Sequence, residues 1–129
     1  MADQKTLVYI GTYTRGKSEG IYVYRLDLST GALEHASTAA GVDNPSYLAI
    51  DPEERYLYAV NEVSEFEGKS SGAISAFSIH PETGALTYLN QRPTGGPGPC
   101  HLSVDRTGNF VLVANYGGGS VCVLPIQDG

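Results

Sequence analysis

The chain has 129 residues, 8 of them basic and 14 acidic, for a formal net charge of −6. Apolar residues make up 41% of it and charged residues 17%, the balance of a globular chain rather than a disordered one. Sixteen glycines and seven prolines exclude a helical bundle or coiled coil, and no aliphatic or aromatic run exceeds five residues, far short of the roughly 20 that span a bilayer.

Ala2-Asp3-Gln4-Lys5 leads straight into the strand pattern Leu7-Val8-Tyr9-Ile10 with no signal-peptide pattern, so the expectation is a cytoplasmic protein away from membranes. Next come Ile21-Tyr22-Val23-Tyr24-Arg25-Leu26 and a turn, Ser29-Thr30-Gly31, whose glycine sits where positive φ is needed. Strands are then predicted at 46–50, 56–61, 73–79 and 86–90, the first two linked by Asp51-Pro52-Glu53-Glu54 and the last two by Glu82-Thr83-Gly84. A third set covers Cys100-His101-Leu102-Ser103-Val104, the hairpin link Asp105-Arg106-Thr107-Gly108-Asn109, Phe110-Val111-Leu112-Val113 and a last strand ending at Ile126. The total is ten strands and no helix.

These strands repeat. Ile21 and Ile74 each open a strand followed by Thr-Gly-Ala-Leu, and Gly31 and Gly84 lie 53 residues apart. Asn44-Pro45-Ser46-Tyr47-Leu48-Ala49-Ile50-Asp51 matches Gly98-Pro99-Cys100-His101-Leu102-Ser103-Val104-Asp105 at an offset of 54, which persists from Asn61 to Asn115. Four-stranded antiparallel units of about 50 residues in series are the signature of a β-propeller. With strands labelled a to d from the centre outward, units fall at 6–43 (b, c, d), 44–97 (a to d) and 98–129 (a to c). The fold class is therefore all-β, a partial propeller of about two and a half blades. A propeller ring needs about 4 to 8 blades to close, so the chain reads as the N-terminal fragment of one domain.

Scattered Lys and Arg give no nucleic-acid surface. Cys100 and Cys122 follow no zinc or redox spacing and are expected to be free thiols. The a–b and c–d hairpins of a propeller share one face. The d–a and b–c connections, here 12–19, 40–44, 62–71, 94–99 and 116–119, share the other, around the central channel. They are longer or richer in glycine, and binding groups are carried on such loops.

Val8-Tyr9-Ile10-Gly11-Thr12-Tyr13-Thr14, Gly20-Ile21-Tyr22-Val23-Tyr24, Asn44-Pro45-Ser46-Tyr47-Leu48, Arg55-Tyr56-Leu57-Tyr58-Ala59-Val60-Asn61-Glu62 and Asn115-Tyr116-Gly117-Gly118-Gly119-Ser120 occur in this order. Together they resemble the opening of the seven-bladed propeller lactonases typified by bacterial 6-phosphogluconolactonase. The resemblance implies about two and a half of seven blades. It also implies hydrolysis of 6-phosphogluconolactone to 6-phosphogluconate, a step of the pentose phosphate pathway. No metal or cofactor is implied, the partners are the sugar lactone and the missing C-terminal blades, and activity resides in the full propeller only. A metal-dependent gluconolactonase-type propeller and a non-enzymatic binding platform are the alternatives, although no Trp-Asp dipeptide of the WD-repeat class is present.

Within that frame His101, at the mouth of the channel, and Glu62 are the catalytic candidates, an imidazole and a carboxylate able to take a proton from water. Asn61, Asn115, Tyr116 and Arg15 are the candidates for substrate binding, Tyr116 on a sugar ring and Arg15 on a phosphate. Asn61 and Asn115 recur at one position, which is also how an architectural cap would recur. Gly117-Gly118-Gly119 lacks the following helix of a phosphate cradle and reads as a tight turn. His35 and His80 are expected on the surface, and Tyr22, Tyr24, Tyr56 and Tyr58 between blades.

Overall fold

The computed structural model describes residues 5–127. Ten strands are present: β1 (Lys5–Ile10), β2 (Gly20–Asp27), β3 (Leu33–Ala40), β4 (Leu48–Ile50), β5 (Tyr56–Asn61), β6 (Ala73–Ile79), β7 (Leu86–Pro93), β8 (Pro99–Val104), β9 (Phe110–Asn115) and β10 (Ser120–Pro125). No helix occurs among the described residues. All pairing is antiparallel, in three sheets ordered β1-β2-β3, β4-β5-β6-β7 and β10-β9-β8. These are blades lacking a, complete, and lacking d. The expected all-β partial propeller is the observed fold.

The strands that match expectation residue for residue, β5 and β6, are buried along nearly their whole length. The second sheet is covered on both faces by its neighbours, so its b and c strands are mostly apolar and stand out in the sequence. The core forms two seams. Ile21, Val42, Leu57, Ala59 and Phe77 close the first against the second sheet, and Tyr58, Val60, Ile74, Leu102, Val111 and Val113 close the second against the third. Burying a side chain such as Phe77 stabilises the seam by about 2–3 kcal/mol.

Several expected boundaries shift, by one residue at the start of β8 (Pro99) and the end of β10 (Pro125) and by more at two places in the complete blade. Strand d of the complete blade runs on through Gln91, Arg92 and Pro93, which pair with Ser75, Ile74 and Ala73. A polar outer strand ending in proline is tolerated at an edge. Strand a begins at Leu48 rather than 46, because Ser46 and Tyr47 belong to the loop layer described below.

The repeated turn residues have a shared cause. Asp51 Oδ1 accepts the Arg55 and Tyr56 amides at 2.6 and 2.8 Å, and Asp105 Oδ1 accepts those of Asn109 and Phe110, both at 2.9 Å. The Thr107 hydroxyl and then the Phe110 amide hold the Asp105 carboxyl below its ordinary value. In the c–d turns Asp27 accepts the Ser29 amide, and His80, 53 residues on, accepts the Glu82 and Thr83 amides through Nδ1. His80 is thus a surface turn acceptor; His35 is exposed on β3, edge-on to Tyr24. Gly31 and Gly84 have φ of 79° and 77°. A side chain at Gly84 would also clash with Leu7, while Tyr9 donates its hydroxyl to the Gly84 carbonyl at 2.7 Å and locks the turn to β1.

Tyr58 is 3% exposed and its hydroxyl has no partner. Burial, assisted by the Asp51 charge, pushes its phenol up to about 12. Since the protonated form is the one the fold favours, this contribution is complete below pH about 10 and is lost as pH rises through about 12. Tyr58→Phe should therefore raise stability at neutral pH by about 1 kcal/mol and reduce the alkaline loss, read from urea unfolding of this chain across pH 7–12.

Candidate active site

The five d–a and b–c connections form one hydrogen-bonded layer at one end of the sheets. Glu62 N donates to Asn44 O at 3.0 Å, and the equivalent Tyr116 N donates to Gly98 O at 2.9 Å. Between blades, Thr12 N reaches Pro45 O and Gly98 N reaches Val63 O, at 3.0 and 2.9 Å. Asn44 stitches the layer further, its side chain accepting the Thr14 amide at 2.8 Å and donating to the Glu62 carbonyl at 3.1 Å. It does so at φ 43°, a left-handed conformation that asparagine tolerates better than most residues.

Asn61 and Asn115 lie beneath this layer, each 2% exposed. Asn61 Nδ2 donates to Asp43 O at 2.7 Å, while its Oδ1 accepts from Ser75 Oγ at 2.6 Å and Gln91 Nε2 at 3.2 Å. Asn115 Nδ2 donates to Thr94 O at 2.9 Å, and its Oδ1 is buried without a partner. Both amides clamp a d–a connection to its own blade, so the structure buries two residues expected to touch substrate and gives them protein partners instead. Their recurrence reflects this shared clamp.

Glu62 sits where two blades meet. Its Oε1 accepts the Ser46 hydroxyl at 2.6 Å and the Tyr13 hydroxyl at 2.9 Å, from the adjoining blade. The carboxylate, through that hydrogen bond first and its charge second, pushes the Tyr13 phenol above its ordinary value. The Arg15 guanidinium lies 5.3 Å from the Tyr13 ring centre, within cation–π range. Arg15, Tyr13, Glu62 and Ser46 thus form one cluster, the first two exposed and the last two half-buried.

His101 is the third residue of β8, the inner strand of the third sheet, and its ring leans on Tyr47, centroids 4.5 Å apart and planes at 43°. The two occupy the same repeat position, Tyr47 immediately before β4 and His101 within β8. Among the described residues His101 and Glu62 form no hydrogen bond with each other; the two catalytic candidates stand in separate clusters. Tyr116, following Asn115 as Glu62 follows Asn61, is 85% exposed. The Gly117–Gly119 turn packs on Pro97, with Gly118 N donating to Pro97 O at 3.2 Å, and it shows the tight backbone approach expected of it.

Sequence reasoning passed over Tyr13, Ser46, Asn44 and Tyr47 as site residues. The repeat held a signal for Tyr13, since Tyr13, Glu62 and Tyr116 each follow strand b, but the first b–c loop is two residues shorter than the second and hides the match. Among the described residues no three His, Cys, Asp or Glu side chains converge as a metal group would require. The two larger crevices, of 570 and 290 Å³, lie along the seams between sheets and are lined by Leu7, Tyr9 and Asp51, and by Tyr58, Ile74 and Leu124. Neither reaches the loop layer. Cys100 and Cys122 are both free thiols.

Blades stitched at one end by a continuous loop layer define a β-propeller with its polar side chains gathered at the channel mouth. Residues 7–129 match the lactonase family of seven-bladed β-propellers, and the chain belongs to that family. It is 41% identical to the 6-phosphogluconolactonase of Bacillus subtilis (strain 168) over 96% of its own length and 34% of the relative's. A 6-phosphogluconolactonase of Formosa agariphila is 30% identical over 94% and 34%. Among solved structures, one from Bacteroides fragilis superposes with a TM-score of 0.88 at 40% identity, covering 98% of this chain and 33% of that one. The periplasmic gluconolactonase PpgL of Pseudomonas aeruginosa gives 0.84 at 36% identity, over 96% and 35%. The chain spans about a third of the length of these relatives.

Proposed function

We propose that the complete propeller to which this chain contributes its first blades is a lactonase that hydrolyses a sugar δ-lactone, 6-phosphogluconolactone to 6-phosphogluconate. The observation that carries this reading is the 41% identity to the Bacillus subtilis enzyme, sustained over 96% of the chain. The cluster of oxygen and nitrogen groups on the loop face agrees with it. Water adds to the lactone carbonyl carbon as His101 accepts its proton, the ring C–O bond breaks, and His101 returns that proton to the departing ring oxygen, which becomes a hydroxyl. Arg15 draws the phosphate and Tyr116 lies against the sugar. Asn61 and Asn115 contribute by fixing the loops from which Glu62 and Tyr116 project. The reaction belongs to the pentose phosphate pathway in the cytoplasm.

One observation favours a second substrate. Glu19, Glu62, Glu65 and Glu67 outnumber the Arg15, Lys17 and Lys69 cations of the b–c loops before Gly72, and a phosphate is repelled by such a set. Unphosphorylated gluconolactone would then be preferred, and a comparison of kcat/KM for the two lactones decides between them. Replacing His101 provides the test of mechanism. His101→Asn in the complete propeller should lower kcat at least about tenfold with the melting temperature kept. Unchanged turnover with a large fall in melting temperature would instead make His101 and Tyr47 a packing pair.

A further inference from the structure

We propose that Tyr13 and Ser46 are positioning residues that fix Glu62 as the acceptor of a polyol subsite, so that this cluster selects lactones bearing ring hydroxyls. The inference rests on the sugar-lactone reading and adds to it the residues that choose the substrate. Tyr13 donates to Glu62 Oε1 at 2.9 Å and Ser46 donates to the same oxygen at 2.6 Å. A carboxylate is an acceptor only, so each bond consumes the hydroxyl's single hydrogen. What remains facing outward is lone pairs: those of the two hydroxyl oxygens and those of Glu62 Oε2, which has no hydrogen bond among the described residues. Tyr13, Ser46 and Glu62 therefore form, beside the N–H donors of Arg15, a cluster that offers acceptors and no hydroxyl donor. Its complement is a molecule rich in donors, and adjacent hydroxyls of a sugar acid present them at the required closeness.

Geometry sets the placement. Tyr13 comes from the b–c loop of one blade, and Ser46 and Glu62 come from the next. Asn44 ties the same two loops together through Thr14 and the Glu62 carbonyl. Glu62 is consequently held at both its backbone and one carboxylate oxygen, which leaves the second oxygen preorganised. Tyr13 is 49% exposed, so its replacement leaves the core intact.

The test uses the complete propeller and two lactones, glucono-δ-lactone and the hydroxyl-free δ-valerolactone. Tyr13→Phe and Ser46→Ala should each lower the ratio of kcat/KM for the sugar lactone over the plain one by about tenfold, through KM rather than kcat. A ratio that stays at the wild-type value, including a parallel fall with both lactones, would overturn the proposal. If the wild-type propeller hydrolyses neither lactone, calorimetry with gluconate decides the subsite, while the lactonase reading fails only if 6-phosphogluconolactone is not hydrolysed either. Binding weakened about tenfold in Tyr13→Phe and Glu62→Gln would uphold it; equal binding in all three proteins, or none in any, would overturn it.

Discussion

Replacing Asn61 with leucine should destabilise this chain by about 3 kcal/mol, whereas the same change at Asn115 should cost about 1 kcal/mol or less. The side chains have the same repeat position and the same 2% exposure, but different partners. At Asn61 the change leaves the Asp43 carbonyl without its 2.7 Å donor and the Ser75 hydroxyl without its 2.6 Å acceptor, while the Gln91 amide loses its 3.2 Å bond and keeps the one to Ser75 Oγ at 3.0 Å. Each buried polar group left unpaired costs about 1–3 kcal/mol, and exposed Asp43 recovers part of its share from water. At Asn115 the Oδ1 already lacks a partner, so the loss falls on the Thr94 carbonyl bond at 2.9 Å and a longer, part-buried bond to Ser120 Oγ at 3.3 Å. Set against a total stability of about 5–15 kcal/mol for a typical domain, the first change is severe. Urea unfolding midpoints of the two variants check this. Equal costs would show that the Ser75 and Gln91 bonds contribute nothing.

The second large effect concerns this chain by itself, which is expected to associate and to be catalytically silent. One face of the third sheet carries Leu112, Val121 and Val123, which are 42%, 80% and 56% exposed. In a ring such a face is covered by the next blade. Leaving about 400 Å² of it in water forgoes about 10 kcal/mol, a quantity comparable with the stability of a whole domain. Among the described residues β10 pairs only with β9 and β1 only with β2, so each offers an open edge, and open edges recruit further strands. Static light scattering checks the association: a mass well above 13.7 kDa is expected, and a monodisperse monomer would show that the uncovered face is tolerated. A pocket formed by the whole ring would at the same time lack most of its wall.

Most of the fold was legible in the sequence because the repeat and the burial share a cause. β5 and β6 lie between two seams, so nearly every position in them is apolar, and their limits could be read to the residue. The end of β7 was not legible, since Gln91 turns its amide to Asn61 and Ser75 and Arg92 is exposed, so no apolar pattern marks this part of the outer strand. In the site, Glu62 could be singled out because it breaks the repeat that Asn61 and Asn115 keep. Tyr13 could not, because a shorter loop shifts it out of register with Glu62. Nor could Ser46, whose hydroxyl matters only through a partner brought near by blade stacking. The roles of the two asparagines depended on the same three-dimensional fact, since repetition alone suits a clamp and a ligand equally.

The central claim is that the loop face of these blades is one wall of a sugar-lactone pocket completed by later blades. The measurement that tests it most directly is the rate of 6-phosphogluconolactone and gluconolactone hydrolysis, above the spontaneous rate, by the complete propeller and by this 129-residue chain in parallel. The account predicts saturable hydrolysis of at least one of the two lactones by the complete propeller and none by the chain alone. A folded complete propeller that hydrolyses neither lactone, or a chain that alone matches the whole protein, would contradict it.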